Sequence, residues 1–249
     1  MLGPHITSRR HTDVASASST SIVIPAFNEG VITGDVVSQL KALASWHEII
    51  VIDDGSSDDT GAQARQAGAT VITHPYTKGN GAAVKTGIRY ATGEFILIVD
   101  GDGQHPPEQI PNMLAHYREV PVNILIGSRF LEEGGFNSTF LRRQGIFLIR
   151  WTLNLLYGSR ITDPTSGMRL MDRKAIVLFS EHYPQDYPEP ISIANALEQG
   201  MSVAEVSVSM RSRMNGKSTI SGLRSLIYMI QVVGYILLTR AKRLFVGKS

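Results

Sequence analysis

Two aspartates follow the end of a predicted strand and are separated by a single glycine. The apolar run Phe95–Val99 precedes Asp100, and Asp102 lies two residues further on. Because a short apolar run bounded by glycine and acidic residues predicts a buried strand, both carboxylates should lie where the sheet meets solvent. Carboxylates spaced in this way can share a hard divalent cation that a nucleotide diphosphate also binds. The alternative is an acidic turn that leads into a proline-initiated helix.

A second acidic group ends another predicted strand. Asp53 and Asp54 are followed by Gly55 and Ser56, which predict a turn. A carboxylate at this position can accept hydrogen bonds from a ribose or from a base N–H, and the small residues let a ring approach the backbone. The alternative is an Asx turn that caps the next helix.

Polar residues also follow the first predicted strand. Pro25, Ala26, Asn28 and Glu29 would lie beside Asp53 if the first two strands are neighbours. Three polar strand ends at one edge of a sheet predict a single ligand site, because ligands of open α/β sheets bind at that edge.

Regular alternation of short apolar runs with helix-compatible stretches predicts parallel βαβ units and an α/β fold. The first hundred residues are typical of a nucleotide-binding half. The predicted strands begin at Ser21, Glu48, Thr70, Phe95 and Asn123, and predicted helices cover 30–44 and 58–67, end at Tyr90, and begin near Pro107.

Composition favours one α/β domain with an appendage. The chain has 249 residues, a formal net charge of +2 and no cysteine, which excludes disulfides and thiolate metal sites. Residues 1–20 are serine-rich and poor in apolar side chains, which predicts a disordered tail without the apolar segment of a signal peptide. We expect the main domain to cover residues 21–220 and the protein to be cytoplasmic.

The segment 221–249 predicts an apolar or amphipathic helix with a basic end. The fifteen residues between Arg224 and Arg240 are almost wholly apolar, but as a helix they span only about 22 Å, less than the roughly 30 Å of a hydrocarbon core. Arg240, Lys242 and Arg243 follow. These features favour an interfacial helix on the inner face of the cell membrane or on a membrane-protein partner. The alternative is a helix packed on the core or on a second subunit, which leaves a homo-oligomer open.

Five motifs in this order resemble the family 2 glycosyltransferases, in particular the branch of dolichyl-phosphate mannose synthase and other polyprenyl-phosphate glycosyltransferases. The motifs are SIVIPAFNEG, VIDDGSSDDT, KGNGAA, VDGDGQHPPE and TDPTSGMR. The resemblance covers about residues 21–220. It implies a GT-A fold, a nucleotide-sugar donor, Mg²⁺ or Mn²⁺, and inversion at the anomeric carbon.

The resemblance also implies roles for individual positions. Donor-binding residues would be Pro25, Ala26, Asn28, Glu29, Asp53, Asp54, Gly55, Lys78, Gly79, Asp100, Gly101, Arg129, Arg169, Arg213 and Lys217. The metal would be held by Asp100, Asp102 and Gln104. Arg129 and Arg169 lie within family-like motifs and could pair with phosphate oxygens. The GKS sequence at 216–218 is not a phosphate loop, because Arg211 occupies the position of the required first glycine.

A catalytic carboxylate is expected in the DYPEPISI segment, where related inverting enzymes place an acid. Glu189 is the first candidate and Asp186 the second, with Asp102 contributing through the metal. Many relatives read PEPE, and Ile191 replaces the last acid here. A hydroxyl acceptor needs such a base, whereas a phosphate acceptor is already ionised. The alternative is a proline-stiffened loop with solvated acids.

The sequence therefore predicts a metal-dependent, inverting hexosyltransferase. Its acceptor would be a polyprenyl phosphate or a cell-surface polysaccharide or glycolipid, and no nucleic-acid partner is expected. A catalytically silent sugar-nucleotide-binding scaffold is the alternative. A nucleotidyltransferase is disfavoured because AFNEG is not the glycine-rich basic loop that such enzymes place after the first strand.

Overall fold

The computed structural model describes residues 15–131, 140–211 and 223–246. Within these ranges helices cover both faces of one sheet. In chain order the elements are β1 (Thr20–Ala26), α1 (Gly30–Leu43), β2 (Glu48–Asp53), α2 (Thr60–Gln66), β3 (Thr70–Thr73), α3 (Asn80–Tyr90), β4 (Phe95–Ile98), α4 (Ile110–Glu119), β5 (Ile124–Ser128), α5 (Phe140–Tyr157), β6 (Arg169–Met171), α6 (Arg173–His182), α7 (Pro188–Glu198), β7 (Val203–Ser207) and α8 (Leu223–Val246).

The described residues form a seven-stranded sheet in the order β3-β2-β1-β4-β6-β5-β7. Neighbouring strands are parallel except at β6, which is antiparallel to both β4 and β5. The mostly parallel α/β architecture predicted from the sequence is confirmed. Ala26 pairs with Asp53 across the first two strands, so the polar segments that follow β1 and β2 do lie side by side.

The strands read as apolar runs because both faces of the sheet are covered. On one face, Ile22 and Ile24 of β1 pack in the same core as residues of α1. On the other face, Val23 packs with Val84 and Ile88 of α3. All seven residues of β1 are buried. This two-sided core fixes the strands and leaves their carboxyl ends to form a site.

The antiparallel strand β6 has a direct consequence for the site. Because β6 runs against its neighbours, the segment that precedes Arg169 lies at the edge where the parallel strands end. The DPTSG segment at 163–167 is thereby brought beside the DGD segment at 100–102. The sequence predicts no strand here, because a strand of three residues carries no readable periodicity.

The disordered tail predicted for residues 1–20 extends too far toward the first strand. Ala15 is fully buried, and its carbonyl accepts a hydrogen bond from Arg118 Nε at 3.2 Å. A short 3-10 helix covers Ala17–Ser19, and Thr20 begins β1. Residues 15–20 therefore belong to the folded domain, because Ala15 packs in the core and is hydrogen-bonded to α4 and Thr20 begins the first strand. Residues 1–14 lie outside the described residues.

A helix, α8, occupies most of the predicted carboxyl-terminal segment. Among the helices of the described residues, none combines the length and the apolar character needed to cross a bilayer.

Candidate active site

A cleft of about 830 Å³ opens at the carboxyl edge of the sheet. It is lined by residues that follow β1, β2, β4 and β5, together with the amino-terminal ends of α3 and α7. The predicted site residues among its lining are Pro25, Ala26, Asn28, Glu29, Asp54, Gly79, Asp100, Gly101, Asp102, Gln104, Arg129 and Glu189.

The paired aspartates lie just beyond β4, against the end of β1. The backbone N–H of Gly101 donates to the Pro25 carbonyl at 3.3 Å. A Cβ at position 101 would lie 2.9 Å from Glu29 Oε2 and 3.1 Å from the Ala26 Cβ. Only a glycine lets the segment approach this closely. The interval between the two aspartates is therefore set by the packing of the neighbouring strand.

Asp102 is buried and Asp100 is more accessible. Asp102 is 6% exposed, and its Oδ1 accepts the N–H of Gln104 at 3.0 Å. The side chain of Asp100 is 31% exposed and lies 3.4 Å from Nδ1 of His105. The buried Nε2 of His105 has no hydrogen-bond partner within the described part of the chain.

Gly167 makes room for the Asp100 carboxylate. A Cβ at position 167 would lie 2.8 Å from Asp100 Oδ1 and 2.9 Å from Oδ2. The position of this carboxylate thus depends on a glycine that is distant in sequence and that β6 brings to the cleft.

The pair fits one mode of divalent-cation binding. The described residues contain no cluster of three or more His, Cys, Asp or Glu side chains that could enclose a metal. Mg²⁺ is commonly held by one or two carboxylates while substrate phosphates and waters complete its octahedron. Asp100 and Asp102 match that donor set. The amide Nε2 of Gln104, the third predicted ligand, donates to the Arg211 carbonyl at 3.4 Å.

The loops after β1 and β2 are tied together at one end of the cleft. Asn28 Oδ1 accepts the N–H of Ser57 at 2.8 Å, and the Asn28 N–H donates to Ser56 Oγ at 3.0 Å. Asp58 accepts the Gly30 N–H at 3.2 Å. Burial raises the pKa of Asp58, but hydrogen bonds from Thr60 and Gly30 outweigh it and lower the pKa. Asp58 thus stays ionised while it joins the two loops.

Asp54 organises the turn that precedes α3. Its carboxylate accepts the N–H of Lys78 at 2.9 Å and of Gly79 at 2.7 Å, and it lies 2.7 Å from Nδ1 of His74. Asp54 and Gly79 line the cleft, whereas Lys78 is not among the lining residues. The carboxylate predicted to bind ribose is therefore engaged in holding this loop.

Asp53 and Gly55 form the turn itself. Asp53 Oδ1 accepts the Ser56 N–H at 3.0 Å and so holds the turn, but Asp53 does not cap the next helix, because the N-cap of α2 is Asp59. Gly55 has φ of +75° and packs against the backbone of Tyr76. Within the described part of the chain, neither residue lines the cleft.

Glu189 lies across the cleft at the start of α7. Its Oε1 accepts a hydrogen bond from Asn80 Nδ2 at 3.0 Å. Burial raises the pKa of Glu189 and the charge of Asp100 adds to the rise, while Arg169 and the Asn80 hydrogen bond oppose it. The net effect is a raised pKa. Asp186, the second candidate, is exposed and outside the described lining.

Arg129 is held in the cleft wall by a buried carboxylate. Its Nε lies 2.6 Å from Asp163 Oδ2, and its Nη2 donates to Asp163 Oδ1 at 2.8 Å and to Thr165 Oγ1 at 2.7 Å. Burial lowers the pKa of Arg129, but its hydrogen bonds and charge attraction to Asp163 raise it overall. The guanidinium is therefore charged and fixed in direction.

Arg169 lies behind the cleft. It is 2% exposed, and its guanidinium donates to the Ser166 and Pro164 carbonyls and to Ser192 Oγ. The Ser192 hydroxyl in turn donates to the Glu189 carbonyl at 2.9 Å. The arrangement supports the DPTSG segment and the start of α7. The structure does not bring Arg169 to the cleft surface, and Arg213 and Lys217 lie outside the described residues.

Several lining or supporting residues were not among the predicted site residues: Asp58, Asp59, Asn80, Asp163, Thr165, Gly167 and Met210. Most of them lie inside the motifs named in the sequence analysis, so membership of a motif could have pointed to them. Membership alone does not show which residue of each motif faces the cleft.

Comparison with known proteins agrees with this geometry. The model of the family described as Glycosyl transferase family 2 matches residues 21–179. The uncharacterized protein MJ1222 of Methanocaldococcus jannaschii is 30% identical over 219 residues, covering 84% of this chain and 90% of the relative. The uncharacterized glycosyltransferase Rv0539 of Mycobacterium tuberculosis is 28% identical over 208 residues, covering 83% of this chain and 92% of the relative.

The fold is similar to that of a solved enzyme. Glucosyl-3-phosphoglycerate synthase from Mycobacterium tuberculosis, solved with Mn²⁺, uridine diphosphate and glucosyl-3-phosphoglycerate, superposes with a TM-score of 0.68 and 24% identity. The match covers 89% of this chain and 79% of that one. It supports a GT-A-like fold with a mostly parallel sheet and flanking helices.

Proposed function

The chain belongs to glycosyl transferase family 2, and from this premise we propose that it transfers a hexose, with inversion, from a nucleotide-sugar donor in a metal-dependent reaction. The observation that carries the proposal is one cleft of about 830 Å³ that contains the Asp100–Asp102 pair and Glu189. A cleft of this volume suits a ligand of the size of a nucleotide sugar.

Asp100 and Asp102 would hold the metal ion. When bound, Mg²⁺ or Mn²⁺ would act as a Lewis acid that neutralises charge on the leaving diphosphate. The solved complex of glucosyl-3-phosphoglycerate synthase with Mn²⁺ and uridine diphosphate supports this assignment by analogy of fold. The segment 25–29 would bind the nucleoside together with the loop that Asp54 holds, and Arg129 would face a donor or acceptor phosphate. Arg213 and Lys217 remain candidates for the same diphosphate.

The acceptor is proposed to be the hydroxyl of a saccharide or glycolipid. Glu189 favours this choice, because a carboxylate with a raised pKa suits a base that takes a proton from a hydroxyl near neutral pH. A polyprenyl phosphate is the second candidate. The TDPTSGMR motif and the charged Arg129 at the cleft wall favour it, and a phosphate acceptor would need no base.

The test is donor binding and turnover with UDP-, GDP- and dTDP-sugars, with and without Mn²⁺, in the presence of lipid extract. We expect one donor to bind in a metal-dependent way. In Asp102→Asn turnover should fall about 100-fold or more, since a metal ion contributes several kcal/mol to such a transition state. Asp35→Asn, at an exposed position of α1, is the matched control. Equal metal-dependent activity in Asp102→Asn would refute the metal assignment. Donor binding without turnover would favour the catalytically silent scaffold, and absence of binding by any donor would refute the proposed function.

A further inference from the structure

Helices α5 and α8 lie side by side and run in the same direction. Gly145, near the start of α5, packs against the side chain of Met229, and the Arg240 guanidinium lies 5.3 Å from the centre of the Tyr157 ring. The faces turned toward the core are fully buried at Ile149, Leu153, Val232 and Ile236. The outward faces of the two helices therefore belong to one side of the molecule, which we call the α5–α8 face.

The α5–α8 face is strongly apolar. Of the fifteen large apolar side chains that are exposed among the described residues, eight lie on these two helices. They are Phe147, Leu148, Trp151 and Leu155 on α5, and Ile230, Tyr235, Leu237 and Leu238 on α8. Single exposed apolar residues are ordinary, but a concentration of them on one side marks an interaction surface.

The charge on the same helices has one sign. The sequences of α5 and α8 contain no Asp or Glu and seven basic residues: Arg142, Arg143, Arg150, Arg224, Arg240, Lys242 and Arg243. Arg143 and Lys242 are exposed. The Arg150 guanidinium lies 5.5 Å from the centre of the Phe147 ring, and both residues line a pocket of about 430 Å³ together with Arg143.

We propose that the α5–α8 face is a docking surface for an anionic lipid bilayer. Apolar side chains such as Trp151 and Leu238 would enter the interfacial layer, where tryptophan is favoured. Basic side chains at its margin would contact lipid phosphates, since Arg and Lys extend their charged ends from apolar surfaces toward water. A helix that is apolar on one face and basic at its edges lies in the plane of the membrane rather than across it.

Charge complementarity selects the bilayer over a second copy of the chain. A two-fold dimer places the same face against itself. The exposed basic residues of this face, Arg143 and Lys242, would then meet the basic residues of the second copy, and neither helix pair contains an acidic residue in its sequence to neutralise them. An anionic leaflet supplies the missing negative charge and requires no complementary shape.

The α5–α8 face is also connected to the cleft. Phe130 lines the pocket that contains Arg143 and Arg150, and the preceding residue, Arg129, lines the cleft. Docking would hold the cleft close to the lipid headgroups. If the proposed function holds, a lipid-linked acceptor would be within reach, but bilayer binding itself does not depend on sugar transfer.

The experiment is sedimentation of the full chain with vesicles of phosphatidylcholine alone or mixed with phosphatidylglycerol. Binding is expected only to the mixed vesicles. Arg143→Gln with Arg150→Gln should lower the partition coefficient about 30-fold, at about fivefold for each basic group near an anionic surface. Trp151→Ser with Leu238→Ser should lower it about tenfold or more through lost apolar burial. Tyr90→Ser with Val177→Ser, which removes exposed apolar side chains on α3 and α6, should bind as the wild type does.

Binding of the wild type to neither vesicle, or equal binding by the variants of the α5–α8 face, would overturn the proposal. A dimer in analytical ultracentrifugation that dissociates in Trp151→Ser with Leu238→Ser would overturn it in favour of a second copy. Donor binding without vesicles, measured on every variant, shows that the fold is intact. If the wild type binds no donor, the proposed function is refuted, but the proposal of bilayer docking is not.

Discussion

Glu189 combines two properties that seldom occur together on an accessible cleft. Its carboxyl is desolvated enough that its pKa is raised, and a hydrogen bond from Asn80 fixes Oε1 at 3.0 Å. A proton acceptor works best when its pKa is close to the working pH and its orientation is set before the acceptor arrives. The environment of this side chain shifts its pKa upward, in the direction of the working pH, and a hydrogen bond sets its orientation.

We expect Glu189→Gln to lower turnover with a hydroxyl acceptor by about 10²–10⁴-fold while leaving donor affinity unchanged. The base must be deprotonated, so wild-type kcat should decline as pH falls through a value above the ordinary pKa of a glutamate. Steady-state kinetics across pH and calorimetric donor titration would measure both effects. Glu181→Gln, at an exposed position, is the control. Full turnover in Glu189→Gln would exclude the residue from proton transfer and favour a phosphate acceptor.

Some of the residues singled out in the sequence line the cleft and others do not. Glu189 was identified because the PEP segment resembles a motif that contains an acid. Its partner Asn80 was not identified as a site residue, because 109 positions separate the two in sequence. Asp163 was not identified for the same reason, because its contact with Arg129 joins the end of β5 to the segment before β6. Contacts between elements that are distant in the chain leave no local pattern.

Strand β6 is the element on which the site depends most. It pairs with β4 and β5 in the antiparallel direction and so delivers the DPTSG segment to the carboxyl edge of the sheet. Gly167 is then close enough to Asp100 that a Cβ would lie 2.8 Å from Oδ1. The backbone on one side of the cleft thus limits where the carboxylate on the other side can point.

Gly167→Ala should weaken Mn²⁺ activation without unfolding the protein. The added methyl group would overlap both oxygens of the Asp100 carboxylate and displace it. Changes to residues that orient a metal ligand typically lower metal affinity by about 10–100-fold. The apparent Mn²⁺ constant for donor binding is the measurement. Gly234→Ala is the matched control, because a Cβ there meets no atom within 4 Å. Unchanged Mn²⁺ dependence in Gly167→Ala would mean that Asp100 is free to relocate.

The strands and helices before residue 130 were largely predictable, whereas β6 and the start of α7 were not. The first strands are apolar runs ending in Gly or Asp, and their pairing follows from βαβ connectivity, as the register of Ala26 with Asp53 shows. Strand β6 has only three residues, too few for a periodic pattern. Helix α7 begins with Pro188 and follows Tyr187, which has a φ of 49°, so its start resembled a proline-stiffened loop.

Across the whole molecule, opposite charges are concentrated at different places. Carboxylates gather at the cleft, where burial and the charge of Asp100 raise the pKa of Glu189, and basic residues gather on α5 and α8. A formal net charge of +2 conceals this separation. Grouping like charges at a catalytic site reduces the stability of the folded state, and the large two-sided core compensates for that reduction.

Replacement of the Glu189 carboxylate should therefore stabilise the fold. The pKa of Glu189 is raised in the folded protein, so its ionised form destabilises the folded state at pH values above that pKa. Below the unfolded-state pKa the carboxyl is neutral in both states and the penalty vanishes. Glutamine carries no charge, and its amide oxygen can still accept the Asn80 hydrogen bond.

Glu189→Gln should accordingly unfold at a higher temperature than the wild type at pH 8, by about 2–4 °C for each kcal/mol of penalty removed, and the gain should disappear as pH falls to 4. Circular dichroism melting curves at several pH values would measure it, with Glu181→Gln, whose carboxyl is exposed, showing no gain at any pH. A gain that grew toward acid pH would contradict the raised pKa. A gain that follows the expected course, together with lost turnover, would show that this side chain is retained for chemistry at the expense of stability.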